Sequence, residues 1–383
     1  MDNNIIGLIN LQGPNYMEEL SRKRPMASEP FAGKYRLIDF ALSTMVNAGV
    51  DTVGLLLPFH SRSVLDHVRS GKDWSLARKQ HGLFYLPVDE AREVTNPQVG
   101  DIRTYYKNLR FVEREQNHYL LLSRCDVVHN IDYKEMLHYH RNRNADVTLA
   151  YKTLEKDYEG EGYAVSVNEA GHVTRLVKTS KLKKGDRILL GSVLMDGNLF
   201  VAMVRRAFAQ DPNQYLIDVL ARNVSRPGIY GYEYRGYAKR IHSLKSYYEA
   251  NMDMLQLENW KAIYRPDRKI YTKVKDEAPA KYMADAKVTN SLVGDGCIIE
   301  GTVENSILFR RVRVGRNAVV KNSIIMQNTE IGEEARVDRV ICDKNQEIQP
   351  EAYLNGKPEA PLCVTQYLSL IHISEPTRLR CIS

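Results

Sequence analysis

Tryptophan is nearly absent, with 2 residues in 383, and the five cysteines (Cys125, Cys297, Cys342, Cys363 and Cys381) form no CxxC pair and no zinc-type spacing. An odd, scattered set of thiols suits a reducing compartment and argues against a disulfide scaffold. No run approaches the ~18 apolar residues of a membrane span, and the N-terminal MDNNIIGLINLQG has no basic segment ahead of an apolar core. A cytoplasmic protein with no membrane partner is expected. A long basic tract is also missing. The net charge of +7 (54 basic against 47 acidic residues) is spread along the chain, and its densest clusters, Lys181–Lys184 and Arg310–Arg313, are short. This argues against a nucleic-acid partner and leaves room for a small anionic ligand or nucleotide, or an acidic partner.

What is present reads as two architectures in series. Ile5–Leu11, Thr52–Leu57 and Tyr119–Leu122 are short apolar runs expected to form buried strands, and Asp146–Tyr151 reads as a further strand. Between them, Tyr35–Ala48, Ser63–Val68 and Tyr133–Arg141 carry helical patterning. Strands alternating with helices predict βαβ units and a mainly parallel, Rossmann-like sheet, with ligands beyond the carboxyl ends of the strands, where Asp126 falls. From about Ala286 the pattern changes. Asn290-Ser-Leu-Val, Asn305-Ser-Ile-Leu, Asn322-Ser-Ile-Ile and Asp338-Arg-Val-Ile recur at separations of 15, 17 and 16 residues. Val293-Gly, Val314-Gly and Ile331-Gly stand between them. Aliphatic residues every five or six positions mark a hexapeptide-repeat, left-handed parallel β-helix. The expected boundaries are 1–264 for the α/β domain, 265–284 for a linker and 285–366 for the β-helix, with Ser246–Ala262 as a connecting helix. Leu368–Arg378, LSLIHISEPTR, back-translates to a transposase-type sequencing adapter, so 367–383 is read as an assembly artefact and His372 and Cys381 carry no argument.

Phe31-Ala-Gly-Lys-Tyr-Arg-Leu-Ile-Asp-Phe-Ala-Leu-Ser43 resembles the FGGKYRIIDFALS block of the ADP-glucose pyrophosphorylase (glucose-1-phosphate adenylyltransferase) family. Asp126 with Asp132-Tyr133 is similar to that family's GDHIYxMDY block, and Tyr230–Tyr237 and Tyr247–Leu255 resemble the segments flanking its WRDVGT block. The resemblance spans about Met1–Gln366. It implies a nucleotidyltransferase-like α/β domain that converts ATP and glucose 1-phosphate to ADP-glucose and pyrophosphate. Such chemistry needs a glycine-rich loop, positive charge on the phosphoryl oxygens, and Mg²⁺ on two aspartates.

The same resemblance implies that the machinery is broken. The family's GGxGxR loop falls on Leu11–Tyr16, where Pro14 lacks a donor and Tyr16 replaces the arginine. Its KPA lysine falls on Met26, with Lys23 and Arg24 nearby. Its EKP lysine falls on Thr179, with Lys178 before it, and its WRDVGT aspartate falls on Arg240. Asp126 is the one surviving metal-type aspartate, and it reads equally as a relic ligand or as a cap of the following loop. Gln12, Gly13, Lys34, Arg36 and Lys178 are the residues expected to form a vestigial nucleotide or sugar-phosphate site. Lys34 and Arg36 read as partners of Asp39 or as packing at a subunit contact, in preference to anion contacts. Lys239-Arg240 reads as an anion site or an exposed turn. His129, His138 and His140 could suggest a metal, but i and i+2 positions lie on different helix faces. The 23 tyrosines are assigned to packing.

Arginine at a Mg²⁺ ligand position repels the ion. The reading is therefore a regulatory, GlgD-type subunit in glycogen biosynthesis, catalytically deficient, needing no cofactor itself, and paired in a heterotetramer with a catalytic subunit that carries Mg²⁺. The alternative is an active sugar-phosphate nucleotidyltransferase with a rearranged site built from Asp126 with Lys23, Arg24 or Arg240. A hexapeptide acyltransferase is disfavoured, because Ala286–Gln366 has no histidine.

Overall fold

Ile5–Asn10 is buried at every position, and its alternate side chains enter two separate hydrophobic clusters. Ile5 and Ile9 join one, Ile6 and Leu8 the other, as a strand covered on both faces requires. This strand of the computed structural model, which describes residues 4–13, 17–21, 24–58, 60–87, 100–114, 118–225 and 228–365, pairs in parallel with Thr52–Leu56 on one side and Tyr119–Arg124 on the other. Gly82–Leu86 extends the parallel set beyond Thr52–Leu56. The helices Leu37–Asn47, Arg62–Val68 and Tyr133–Asn142 stand at the expected places. Asp132 caps the last of these, its carboxylate accepting from the Lys134 and Glu135 N–H groups.

The sheet is more mixed than its first half suggests. Tyr158–Val167, Val173–Leu182 and Arg187–Asp196 are ten-residue strands joined to it antiparallel. The first two form a hairpin whose turn uses Gly171 at φ +88°. Most of their side chains are exposed or half-buried, so they carry no apolar run to read.

From Lys281 the chain winds into three five-stranded parallel sheets. The coils begin inside the segment read as linker, because Lys281–Tyr282 already pairs with Ile298–Ile299. One left-handed residue recurs at each corner of the triangle. Asn290, Asn305, Asn322 and Arg339 occupy one corner; Gly296, Arg311, Asn328 and Asn345 the second; Asn317, Glu334 and Glu351 the third. Asparagine tolerates this conformation better than most residues. The Asn-Ser pairs also staple the coils. Asn290 donates to Asn305, Asn305 to Asn322 and Asn322 to Asp338, at 2.9, 2.7 and 2.8 Å. Beside them, the hydroxyls of Ser291, Ser306 and Ser323 accept the N–H groups of Ser306, Ser323 and Val340. One alignment of the repeats needs correction. Lys321 faces Asp338, so Asn322 corresponds to Arg339 and the last separation is 17, not 16. Asp338 resembles a repeat asparagine because its carboxylate ends the amide ladder from within a strand.

The doubled aliphatics decide how the domains join. In Ile307–Leu308 and Ile324–Ile325 both residues of each strand are buried. Leu308 and Ile325 point into the coil interior with Ile299, Val314, Val320 and Ile331. Ile307 and Ile324 point outward and pack with Met17, Leu20, Phe31, Phe40 and Tyr247 of the α/β domain. Each such side chain taken from water contributes about 1.5–3 kcal/mol. A buried ion group crosses the same seam: Arg24 donates to Glu29 and reaches Asp343 of the β-helix at 2.8 Å, while Ser21 Oγ donates to Glu29 at 2.6 Å.

The connecting helix is not continuous. Leu244–Met252 ends in a 3₁₀ turn, Asp253–Leu255, and Gln256 is extended (φ −86°, ψ 121°) before Leu257–Ile263 begins. The break buries Met254 and Ile263 and lets Trp260 pack on Tyr264, which stacks on Tyr35. Residues 265–273 are strapped onto the α/β domain: Asn130 holds the Ile263 and Arg268 carbonyls, and Ser43 Oγ accepts the Tyr271 N–H.

Replacing Asn305 by alanine removes two ladder bonds and forces Ala into φ +46°. A loss of about 2–3 kcal/mol in urea unfolding is expected, with Asn305→Gly recovering about 1 kcal/mol of it. Arg24→Met leaves Glu29 buried without its cation and should cost about 3–5 kcal/mol, most of it restored in the Arg24→Met/Glu29→Met double variant.

Candidate functional site

Asn10 and Arg124 are the facing last residues of adjacent parallel strands, so the chain leaves both at the carboxyl edge of the sheet. There the Gln12 N–H donates to Asn10 Oδ1. Its side chain is tied to the Leu57 carbonyl and the Thr104 hydroxyl, both at 2.9 Å. Gly13 follows, and a Cβ there would lie 3.1 Å from Arg124 Nη2. Two residues after Arg124 comes Asp126, which is buried.

Asp126 is gripped from two sides. Arg124 Nε donates to Oδ1 at 3.0 Å and Nη2 to Oδ2 at 3.2 Å, a bidentate fork. Arg240 Nε donates to Oδ2 at 3.3 Å, and its Nη1 reaches the Glu161 carbonyl at 2.9 Å. The second arginine arrives because Ala238–Arg240 pairs antiparallel with Val127–His129, which sets Arg240 opposite Val127. Burial pushes the Asp126 carboxyl up, but Arg124 and then Arg240 outweigh it and hold it at about 2. The carboxylate is therefore ionised at neutral pH and fully engaged with guanidinium.

A Mg²⁺ ion does not fit this donor set. It requires carboxylate oxygens free to coordinate, and both oxygens of Asp126 already accept charge-assisted bonds. Among the described residues no group of three or more His, Cys, Asp or Glu side chains is placed to hold a metal. His138 meets Asn142, His140 meets Thr148, and buried His129 faces Ser192.

The structure divides the sequence-predicted residues between two places. Gln12, Gly13, Asp126 and Arg240 converge on the cleft, with Lys178 at its rim, paired with Glu161 at 2.8 Å. Thr179 faces Gly162 in the neighbouring strand. Met26 packs at the domain seam, and Arg24 is committed to Glu29 and Asp343. Lys239 pairs with Glu249 and Asp253. Tyr16, Pro14 and Lys23 lie outside the described residues.

Lys34 and Arg36 instead line a pocket of about 550 Å³ between the domains, with Lys273, Lys275 and Arg310. Arg36 does not pair with Asp39 through its side chain: its Nη1 donates to the Ser63 carbonyl, while Asp39 accepts the Arg36 backbone N–H and holds His67 at 2.6 Å. Burial, Arg310, Lys273 and Arg36 together push Lys275 down to about 8. Glu277, bound to Arg311, and Asp295 are the acidic lining residues. Sequence reasoning missed Arg124 and this pocket. Arg124 closes an apolar strand and gives no motif, and the pocket joins three distant segments.

Comparison with known proteins bears on both regions. A nucleotidyl transferase family profile matches residues 17–257, and a GlmU-like C-terminal hexapeptide profile matches 278–360. The glycogen biosynthesis protein GlgD of Bacillus subtilis (strain 168) is 33% identical over 316 residues, 82% of each chain. GlgD of Geobacillus stearothermophilus is 35% identical over 324 residues, 84% of each chain. The chain belongs to the family of glucose-1-phosphate adenylyltransferases and GlgD proteins. A glucose-1-phosphate adenylyltransferase of Clostridium botulinum (strain Alaska E43 / Type E3) is 30% identical over 305 residues, 79% of each. The α/β domain followed by a left-handed β-helix is the architecture these matches require. No helix among the described residues is long and apolar enough to cross a membrane.

His129 is buried beside this cleft, and burial lowers its imidazole to about 4 despite the nearby Asp126 charge. Its folded value lies below the unfolded ~6.5, so the unfolded chain binds the extra proton between these limits. Stability should therefore fall as pH drops from about 6.5 towards 4, by up to about 3 kcal/mol from this residue. Urea midpoints measured across that window should show a shallower fall in His129→Gln.

Proposed function

We propose that this chain is a GlgD-type subunit acting in glycogen biosynthesis, deficient in turnover itself, and that it modulates a catalytic glucose-1-phosphate adenylyltransferase partner. One observation carries the reading: the Asp126 carboxylate is closed by Arg124 and Arg240 instead of facing a divalent cation. Phosphoryl transfer depends on positive charge placed on the transferring group by metal, lysine and backbone donors. Here the expected lysine positions are Met26 and Thr179, and the metal carboxylate is spent on guanidinium. Arg24 offers no rescue, being buried against Glu29 and Asp343.

The chain then needs no cofactor of its own, Mg²⁺ residing in the partner, and works in the cytoplasm as part of a heterotetramer. Conserving both domains without their chemistry is understandable in a subunit whose product is an interface. The cationic pocket of Lys34, Arg36, Lys273, Lys275 and Arg310 supports a small anionic ligand as a second partner. An anion there touches both domains and the strap between them, so it can bias how they sit.

Pyrophosphorolysis of ADP-glucose with Mg²⁺ tests the reading, using this chain ended at Gln366, the catalytic subunit, and the two co-expressed. The chain alone should be slower than the catalytic subunit by at least about 10³-fold, the scale of losing electrostatic catalysis. The co-expressed pair should show a changed rate or substrate affinity. Turnover of the isolated chain near the catalytic subunit's rate overturns the proposal, as does a pair indistinguishable from the catalytic subunit alone.

A further inference from the structure

The pocket between the domains holds more cations than carboxylates. Lys34, Arg36, Lys273, Lys275 and Arg310 line it, against Glu277 and Asp295. Most of its charged groups are tied down. Arg36 Nη1 donates to the Ser63 carbonyl at 3.0 Å, and Lys273 Nζ donates to the Asp66 carbonyl at 2.7 Å. Glu277 is held by Arg311 at 2.6 Å and by Arg310 at 3.7 Å. Lys275 stands in exposed chain between two of these anchors, Lys273 and Glu277. Among the described residues, no group accepts a hydrogen bond from its ammonium or forms an ion pair with it. The amine is also poised to react. The pocket wall withdraws it partly from water, and Arg310, Lys273 and Arg36 oppose its charge, so it sits at about 8 although Glu277 acts the other way. Roughly a quarter of it is then neutral at pH 7.5, against about 0.1% of an ordinary lysine. Neighbouring cations activate a lysine as a nucleophile in this way. Lys273 is pushed down as well, by burial and then by Arg69 and Arg36 against Asp66 and Asp73, but its nitrogen is engaged with the Asp66 carbonyl.

We infer that Lys275 Nζ is a covalent modification site, acylated by a small acyl phosphate drawn into the interdomain pocket. The neutral amine attacks the carbonyl carbon and forms the N–C bond. The C–O bond to the phosphoryl group breaks, inorganic phosphate leaves with the electron pair, and the surplus amine proton passes to water. Arg310 and Lys273 line the same pocket and supply positive charge for the departing phosphate. The product is an uncharged amide, so the lining changes from five cations to four, facing the same two carboxylates. Acylation thereby works as a charge switch where the two domains meet. The event occurs on this chain alone, so the inference goes beyond the partner-subunit reading and does not depend on it.

The test treats the full chain with acetyl phosphate and follows each lysine by peptide mass spectrometry. At pH 7.5 Lys275 should be acetylated at least about fivefold faster than the exposed Lys261 and Lys287. Its rate should rise with pH to about 9 and then level, because the amine is by then mostly neutral, while the reference lysines keep accelerating. Excess inorganic phosphate should slow Lys275 and leave the reference lysines unchanged. Arg310→Gln removes the strongest opposing cation, so the plateau should move to higher pH and the rate advantage should shrink several-fold, with Arg310→Lys restoring part of it. A smaller advantage for Lys275 in the unaltered chain, a rate that climbs with pH in parallel with the reference lysines, or acetylation that phosphate does not slow overturns the inference. So does an Arg310→Gln chain that folds and keeps the full advantage. If Arg310→Gln does not fold, the pH profile and phosphate protection of the unaltered chain decide. Because no partner is present and no turnover is read, failure here and failure of co-expressed kinetics are separate results.

Discussion

Glu29 is a carboxylate with no access to water, placed where the two domains meet. Burial raises the cost of its charge, and Arg24 and Ser21 answer it. Asp343 of the β-helix then accepts from Arg24 Nη2 and ties the same guanidinium to the second domain. Around this ion group lie the outward-facing Ile307 and Ile324, Phe31, Phe40 and the wholly buried Tyr247. The hydrophobic contact supplies the larger free energy, but it is tolerant of sliding. The ion group is not, because any shift that separates Arg24 from its carboxylates strands a buried charge. The register between the domains, the strap of residues 265–273 and the pocket beneath Lys275 all follow from that fixed seam.

The seam and the cleft make the same use of arginine. In each, a buried carboxylate is held by guanidinium. Arg24 stands near the position where the family resemblance expects a lysine, yet it serves architecture. Arg240, where the resemblance expects a metal-binding aspartate, closes onto Asp126. A nucleotidyltransferase fold can keep its sheet, helices and β-helix under such exchanges, because the residues that hold the core are not the residues that hold the phosphates. The interdomain pocket is lined by Lys34, Arg36, Lys273, Lys275 and Arg310 against Glu277 and Asp295.

The apolar runs made the parallel half of the sheet legible, since buried strands must be written in aliphatics. The exposed antiparallel strands of residues 158–182 were not legible, because their stability comes from pairing and a hairpin turn. The β-helix was readable from its repeats down to the corner asparagines. The offset at Asp338 was not, because a carboxylate can end an amide ladder from a neighbouring position. In the candidate site, departures from the family blocks at Met26, Thr179 and Arg240 were legible in the sequence, but the fork that Arg124 makes to Asp126 was not. An arginine ending a strand has no signature until its neighbour's register is known.

The sequence by itself determined the two architectures and the parallel half of the sheet, because periodicity and residue identity are local. Tertiary structure alone decided that Arg124 and Arg240, 116 positions apart in the chain, meet on one carboxylate. It alone placed Lys34 and Arg36 with Lys275 and Arg310 in a pocket distinct from the cleft. Charges act through space over a few ångströms, and only the folded chain sets those distances.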